Sequence, residues 1–495
     1  MVNESEEALN IIEDMIEDQL LNTEEADLKR RVMVSSLQLL RGQVYESRDN
    51  RPGAAVCYKE AVRTDLTCVE AMTSLTSHQM LTLDEERDLV QKLYRQSEPP
   101  SELSQLVTFL YGGSLKKYSE VKLSGLPLGL VSRDTERWRE LLRENSDVRV
   151  SELERLYYNC DHLSAIRLSS AILKVDPHHP ACLPIHVALL VELERTSDLF
   201  KLSHSLVDLF PEWCVAWYAV GCYYYSTGRQ DPARRYLEKA TKQDVMFGPA
   251  WLAYGHSFAV ENEHDQAMAA YFKASQLMAG CHLPQLYIGL EYSLTNNTNL
   301  AEKFFSQALE VAPNDPFVLH ELGVTAYTTG QYERAEKYLS DALLRVEGVS
   351  RSGLSSSLSD KWESLLNNLG HTHRKLGRYQ ESISFHQQAL VLSPLNPSTY
   401  SALGYVQTLT GDLTNAVESF HKALGIRRED TFSTNMLTAV IEQLMNCVAP
   451  FPGYHDTTPR FPSLVSPASP KSPSSSRECS SAMVEDDSMT MDQTM

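Results

Sequence analysis

The chain has 495 residues, of which 42% are hydrophobic, and a formal net charge of −20. That is enough for several globular domains or one long array. The acidity argues against a binder of phosphate backbones, which needs clustered Lys and Arg, so nucleic acid is not an expected partner. Nine cysteines are scattered without a CxxC pair, which suits a reducing compartment. There is no leader-like apolar stretch at the N-terminus, and no run approaches the roughly 18 apolar residues of a membrane span, so a membrane is not expected either.

Residues 1–28 hold ten acids and no Lys or Arg. Leu9, Ile12, Met15, Ile16 and Leu20 fall at roughly helical spacing, so this segment reads either as an amphipathic helix that docks elsewhere or as a disordered acidic lead. Residues 29–95 carry repeat-like units, the first marked by Gly42, Tyr45, Ala54, Tyr58 and Ala61. Residues 96–147 read as an irregular connector containing a helix, a turn at Gly112-Gly113 and a polar stretch.

A repeat array is expected over 148–446. Its first two units are weak, with Ala165, Pro177 and Pro211 in the repeat's places. Glycines then recur at Gly221, Gly255, Gly289 and Gly323, each 34 residues after the last, and again at Gly370 and Gly404. Ala240, Ala274, Ala308, Ala342, Ala389 and Ala423 follow their glycines by 19 residues, and Ala233, Ala267, Ala301, Ala335, Ser382 and Ala416 by 12. Trp217 and Trp251 each stand four residues ahead of the beat. The interval from Gly323 to Gly370 is 47 residues, and the excess falls on a Ser/Gly-rich insertion at 346–361.

Period and pattern match the tetratricopeptide repeat, a pair of antiparallel helices. The expected fold is all-α, a right-handed superhelical solenoid with an inner groove. In this reading the glycine admits close approach of the second helix, where a small residue such as Ala233 or Ala267 faces it. Gly228, Gly330, Gly377 and Gly411 end first helices in a left-handed conformation. Inner positions of the first helices are candidates for a peptide-binding groove: Tyr218, Cys222, Tyr225, His256, His320, Tyr327, Asn367, His371, Arg374 and Tyr405. Asn can bond a peptide backbone and Arg can pair with a carboxylate.

The tail, residues 447–495, is rich in Ser and Pro and reads as disordered. Its Ser-Pro and Thr-Pro pairs make Thr458, Ser466, Ser469 and Ser472 candidates for phosphorylation. There is no phosphate loop, no HExxH and no Cys/His cluster with zinc spacing, so no cofactor, no metal site and no catalytic residue are expected.

Several stretches are more specific than the generic repeat. GPAWLAYGHSFAVENEHDQAMAAYFKASQLMAGCHLPQLYIGLEYSLTNN (248–297), FFSQALEVAPNDPFVLHELGV (304–324), WESLLNNLGHTHRKLGRY (362–379) and ALGIRRED followed by TFS (423–433) resemble the family of subunit 6 of the anaphase-promoting complex, or cyclosome. The resemblance covers about 30–440. It implies a non-catalytic scaffold of an E3 ubiquitin ligase acting on mitotic regulators, found in nucleus and cytoplasm and on the mitotic spindle. It also implies a small companion subunit held in the groove and other tetratricopeptide subunits stacked alongside. Family members carry further repeats before the position of Leu37 that form much of a homodimer interface. Here only the acidic segment precedes it, so the expectation is a variant or partial chain, with homodimerisation through that end left open. The competing expectation is a tetratricopeptide co-chaperone or other peptide-binding adaptor.

Overall fold

In the computed structural model the described residues are 2–21, 27–82, 85, 86, 88, 89, 92, 93, 102–115, 137, 138, 140–352 and 359–447. Thr458, Ser466, Ser469 and Ser472 lie outside them. The chain forms two compact units, 1–315 and 316–495, and among the described residues regular structure is helical throughout.

The first unit contains α1 (Val2–Leu21), α2 (Asp27–Ser47), α3 (Arg51–Thr64), α4 (Val69–Ser77), α5 (Glu102–Leu115), α6 (Ser146–Tyr158), α7 (His162–Val175), α8 (Cys182–Glu192), α9 (Thr196–Leu209), α10 (Cys214–Ser226), α11 (Gln230–Gln243), α12 (Gly248–Ala259), α13 (His264–Leu277), α14 (Leu283–Leu294) and α15 (Thr298–Val311). The second contains α16 (Pro316–Thr328), α17 (Tyr332–Ser352), a short 3-10 turn (Asp360–Trp362), α18 (Glu363–Lys375), α19 (Tyr379–Leu392), α20 (Pro397–Thr410), α21 (Leu413–Ile426) and α22 (Thr431–Cys447).

Within the acidic lead, Val2–Leu21 is helical. Glu13 and Glu6 pair with Arg41 and Arg48 of α2 at 3.1 and 3.0 Å, and Ile16 is buried. The helix α5 runs through Gly112 and Gly113, where a turn was expected. The helix α17 continues through Gly348 into the Ser/Gly-rich segment.

One hairpin is built like the next. The first helix ends on a left-handed residue: Asp49, Cys160, Glu194, Gly228, Asn262, Asn296, Gly330, Gly377 and Gly411 all have φ between 54° and 81°. The following N–H then reaches back five residues, as from Arg229 to Tyr224 O at 3.0 Å or Glu263 to Phe258 O at 3.1 Å. This is the Schellman closure, which satisfies carbonyls the helix end leaves open. Side-chain caps start several of the helices. Asn145 accepts from Asp147 N and Val148 N, Asp161 from Ser164 N, and Asn396 from Ser398 N.

The periodic alanines are fully enclosed: Ala233, Ala267, Ala301 and Ala416, and Ala240, Ala274 and Ala308, have 0% exposure. The side chain that a Cβ on these glycines would meet first is that of the residue 16 positions later, with the residue at 12 also close: at Gly323 the Ala335 carbonyl oxygen would lie 3.5 Å away. A Cβ on Gly221 would lie 2.5 Å from Leu237 Cγ, on Gly289 2.6 Å from Phe305 Cε1, and on Gly370 2.5 Å from His386 Cε1. These contacts are tighter than any real Cβ makes, so glycine is needed for the helices to pack at this distance. Trp217 and Trp251 donate their indole N–H to Pro211 O and Val245 O at 2.7 and 2.9 Å, tying each first helix to the loop before it.

The α18–α19 hairpin replaces apolar packing with polar. Ser382 stands at an alanine place and donates to Gly370 O at 2.7 Å. His386 stands where neighbours have Phe or Leu, and its Nδ1 lies 2.8 Å from Asn367 Oδ1.

Candidate functional site

In the first unit the inner faces of α6, α8, α10, α12 and α14 converge on a cleft of about 120 Å³. Its walls are Tyr157 and Tyr158 from α6, Ala188 and Glu192 from α8, Tyr218, Cys222 and Tyr225 from α10, Ala253 and His256 from α12, and Tyr287 from α14. The loop between α13 and α14 supplies Met278 and Cys281. Successive first helices present equivalent positions every 34 residues, so one face of the stack becomes one continuous lining.

Aromatic rings dominate. The His256 ring lies 4.2 Å from that of Tyr287, edge to face, and its Nδ1 is 2.8 Å from the Tyr271 hydroxyl. Tyr271 and Tyr287 stack at 5.4 Å. Offset and edge-on contacts of this kind suit the ring quadrupole. Burial sets the protonation of the lining. It draws His256 down to about 4 and pushes the Cys222 thiol and the Tyr225 phenol up to about 12. At neutral pH the imidazole is uncharged and the thiol keeps its proton. A thiol of that kind is a poor nucleophile. The cleft thus offers apolar surface, neutral hydrogen-bonding groups and the carboxylate of Glu192, an arrangement for holding a ligand rather than transforming one.

Four of the ten sequence candidates, Tyr218, Cys222, Tyr225 and His256, line this cleft. The other six belong to the second unit. There Arg374 Nη2 lies 3.4 Å from the Tyr327 hydroxyl, and its guanidinium carbon is 5.1 Å from the centre of the Tyr405 ring, joining α16, α18 and α20. His320 is buried, with Nε2 3.0 Å from Asn368 Nδ2 and Nδ1 2.8 Å from Glu321 Oε1. His371 is buried 5.1 Å from the His386 ring. Burial, reinforced by Arg374 and Lys375, draws it down to about 3. The structure turns Asn367 towards α19, where its amide is committed to His386, so it faces the hairpin interior rather than the groove.

Sequence reasoning missed Tyr157, Tyr158, Glu192 and Tyr287. Tyr157 stands 68 residues, two periods, before Tyr225. Extending the register backwards through the weakly patterned hairpins would have found it.

Comparison with known proteins places these features. Tetratricopeptide-repeat family models match residues 365–398, and 215–244, 288–315 and 397–430. The human protein named cell division cycle protein 16 homolog is 52% identical over 417 residues, 84% of this chain and 65% of that protein. The chain thus spans just under two thirds of the length of that relative. Anaphase-promoting complex subunit 6 of Arabidopsis thaliana is 36% identical over 429 residues, 85% of this chain and 76% of that protein. Among solved structures, the crystal structure of the APC/C hetero-tetramer Cut9-Hcn1 aligns with a TM-score of 0.71 at 32% identity, covering 82% of this chain and 76% of that one. The repeats, the enclosed alanine and glycine packing, and identity over more than four fifths of the chain agree: the chain belongs to the family of anaphase-promoting complex subunit 6.

Proposed function

We propose that the chain is a non-catalytic scaffold subunit of an anaphase-promoting-complex E3 ubiquitin ligase, holding a segment of a small companion chain in the cleft of the first unit. The observation that carries this reading is the cleft itself, an apolar and aromatic lining with one acidic side chain, Glu192, on a chain whose solved relative Cut9 forms a hetero-tetramer with Hcn1. Tyr218, Cys222, Tyr225 and His256 are its contacts. Tyr327, Arg374 and Tyr405 give a second, cationic contact in the other unit. Other tetratricopeptide subunits are its stacking neighbours. The protein works in nucleus and cytoplasm and on the mitotic spindle, and Thr458, Ser466, Ser469 and Ser472 receive phosphate.

Capture of the tagged chain from dividing cells, with mass spectrometry of what accompanies it, tests this. Other subunits of the ligase and a small chain are expected. Recovery of chaperones without ligase subunits would overturn the reading.

A further inference from the structure

The loop between α13 and α14 has two faces. On one, Met278 and Cys281 line the cleft. The other is held by a segment far earlier in the chain. Arg51, the first residue of α3, donates Nη1 to Leu277 O at 2.6 Å across 226 residues of sequence. Gly280 N donates to Gln79 O at 2.7 Å, just beyond α4. A Cβ on Gly280 would lie 2.3 Å from Leu81 O, so only glycine allows the two backbones to meet. Gln79 also donates Nε2 to the hydroxyl of the cleft residue Tyr158 at 2.6 Å. At the rim, Lys273 pairs with Asp49 at 2.7 Å.

These contacts lie outside the 34-residue pattern. Gly280 falls 25 residues after Gly255, off the beat. Arg51 is 7% exposed, and its Nε and Nη2 lack hydrogen-bond partners. Taking a guanidinium out of water is costly unless it is well paired. Glu46, Asp49 and Asp244 stand near enough to favour its charge. The junction therefore joins a charged anchor, a backbone bond that requires glycine, and a side-chain bond running directly to a cleft residue.

We infer that the α3–α4 segment, the second helix of one repeat and the first of the next, positions the Met278–Cys281 wall of the cleft, with Arg51, Gln79 and Gly280 as positioning residues. The wall is held from behind by a segment that does not itself line the site. Releasing Arg51 frees the loop and opens the cleft while the hairpins on either side keep their own packing. The consequence for binding rests on the function proposed above.

Alkylation of the full-length chain with iodoacetamide, read residue by residue by mass spectrometry, tests the inference. Cys281 is 1% exposed and reacts only when the wall moves, whereas Cys182, with 0% exposure in the α8 core, reports wider unfolding. Arg51→Met keeps the apolar stem and removes the bond to Leu277. It should raise the Cys281 rate about tenfold to a hundredfold, the worth of one charge-assisted hydrogen bond, with Cys182 unmoved. Lys273→Glu sets like charges against each other at the exposed rim without touching any core, and should raise it a few-fold. An unchanged Cys281 rate in both variants would overturn the inference, as would Cys281 and Cys182 rising together in both. The amount of small chain co-purifying with each variant should fall in the same order. A faster Cys281 in a protein whose wild type captures no small chain would uphold the positioning role and sink the binding reading.

Discussion

A Cβ placed on Gly255 would lie 2.3 Å from Cε1 of Tyr271, a ring that is 1% exposed and has no room to retreat. Gly255→Ala must push α12 and α13 apart, so the cost should be about 1–3 kcal/mol or more, the usual penalty of overpacking. Gly404 is a milder case, because its Cβ would meet Phe420 at 3.0 Å. Thermal melts of the two alanine variants should show the larger loss at Gly255. The reverse order would contradict this account of the beat.

Glu194 holds the left-handed corner of the α8–α9 hairpin with φ of 54°, where four other hairpins use glycine. Its side chain is exposed. Glu194→Gly should therefore stabilise the chain by about 1 kcal/mol through relief of backbone strain. Asn262→Gly, at φ of 60°, should gain less, since Asn visits this region readily. Denaturant midpoints of both variants check the order.

Acidification should begin to weaken the fold above the pH at which ordinary carboxylates take up protons. Burial draws His256 and His186 to about 4, against about 6.5 in the unfolded chain. Between those values the unfolded state binds protons that the folded state refuses, so stability rises with pH and falls as pH drops from about 6.5 towards 4. Each group contributes a slope of up to about 1.4 kcal/mol per pH unit. His256→Gln should flatten that part of the stability profile. A profile identical to wild type would refute the assignment.

Filling the cleft should abolish capture without harming the fold. Ala188 is part of the lining and only half-buried. Ala188→Trp introduces an indole where a ligand would sit. A loss of about tenfold or more in the affinity of the captured small chain is expected, since one displaced apolar side chain is worth that much. Circular dichroism should be unchanged. Full binding by this variant would move the site elsewhere.

The polar pair of the α18–α19 hairpin gives a double-mutant test. His386→Phe restores the ring found at Phe305 and Phe420 but strands the buried Asn367 carbonyl, and should cost about 1–3 kcal/mol. Adding Asn367→Leu removes the stranded group and should recover most of the loss. Melts of the two singles and the double give the coupling directly.

The beat was readable because its residues all answer to one local geometry, two antiparallel helices in contact. What spacing could not show is which residue of the second helix meets the glycine. That depends on the hairpin corner, and the side chain nearest the glycine is the residue at 16, such as Leu237, ahead of the small residue at 12. Asn367 and Asn368 are neighbours on one helix, about 100° apart. Only the buried His386 on the next helix decides which of them turns inward. Tyr157 and Tyr158 were hidden by the loss of signature residues in the hairpin that carries them. The junction of Arg51 with Leu277 has no periodic trace at all, because contacts between distant repeats leave none in the sequence.

That last contact changes how the first unit should unfold. A pure solenoid behaves as a row of dominoes, each repeat stabilised only by the two beside it, and it can fray from either end. A bond between residues 226 apart turns the row into a closed loop. The intervening hairpins can neither be lost nor duplicated without breaking the closure. Fraying of α3 and α4 is also resisted by α13, so the segment should melt as one block, and more slowly assembled contacts of long sequence separation should set its folding rate.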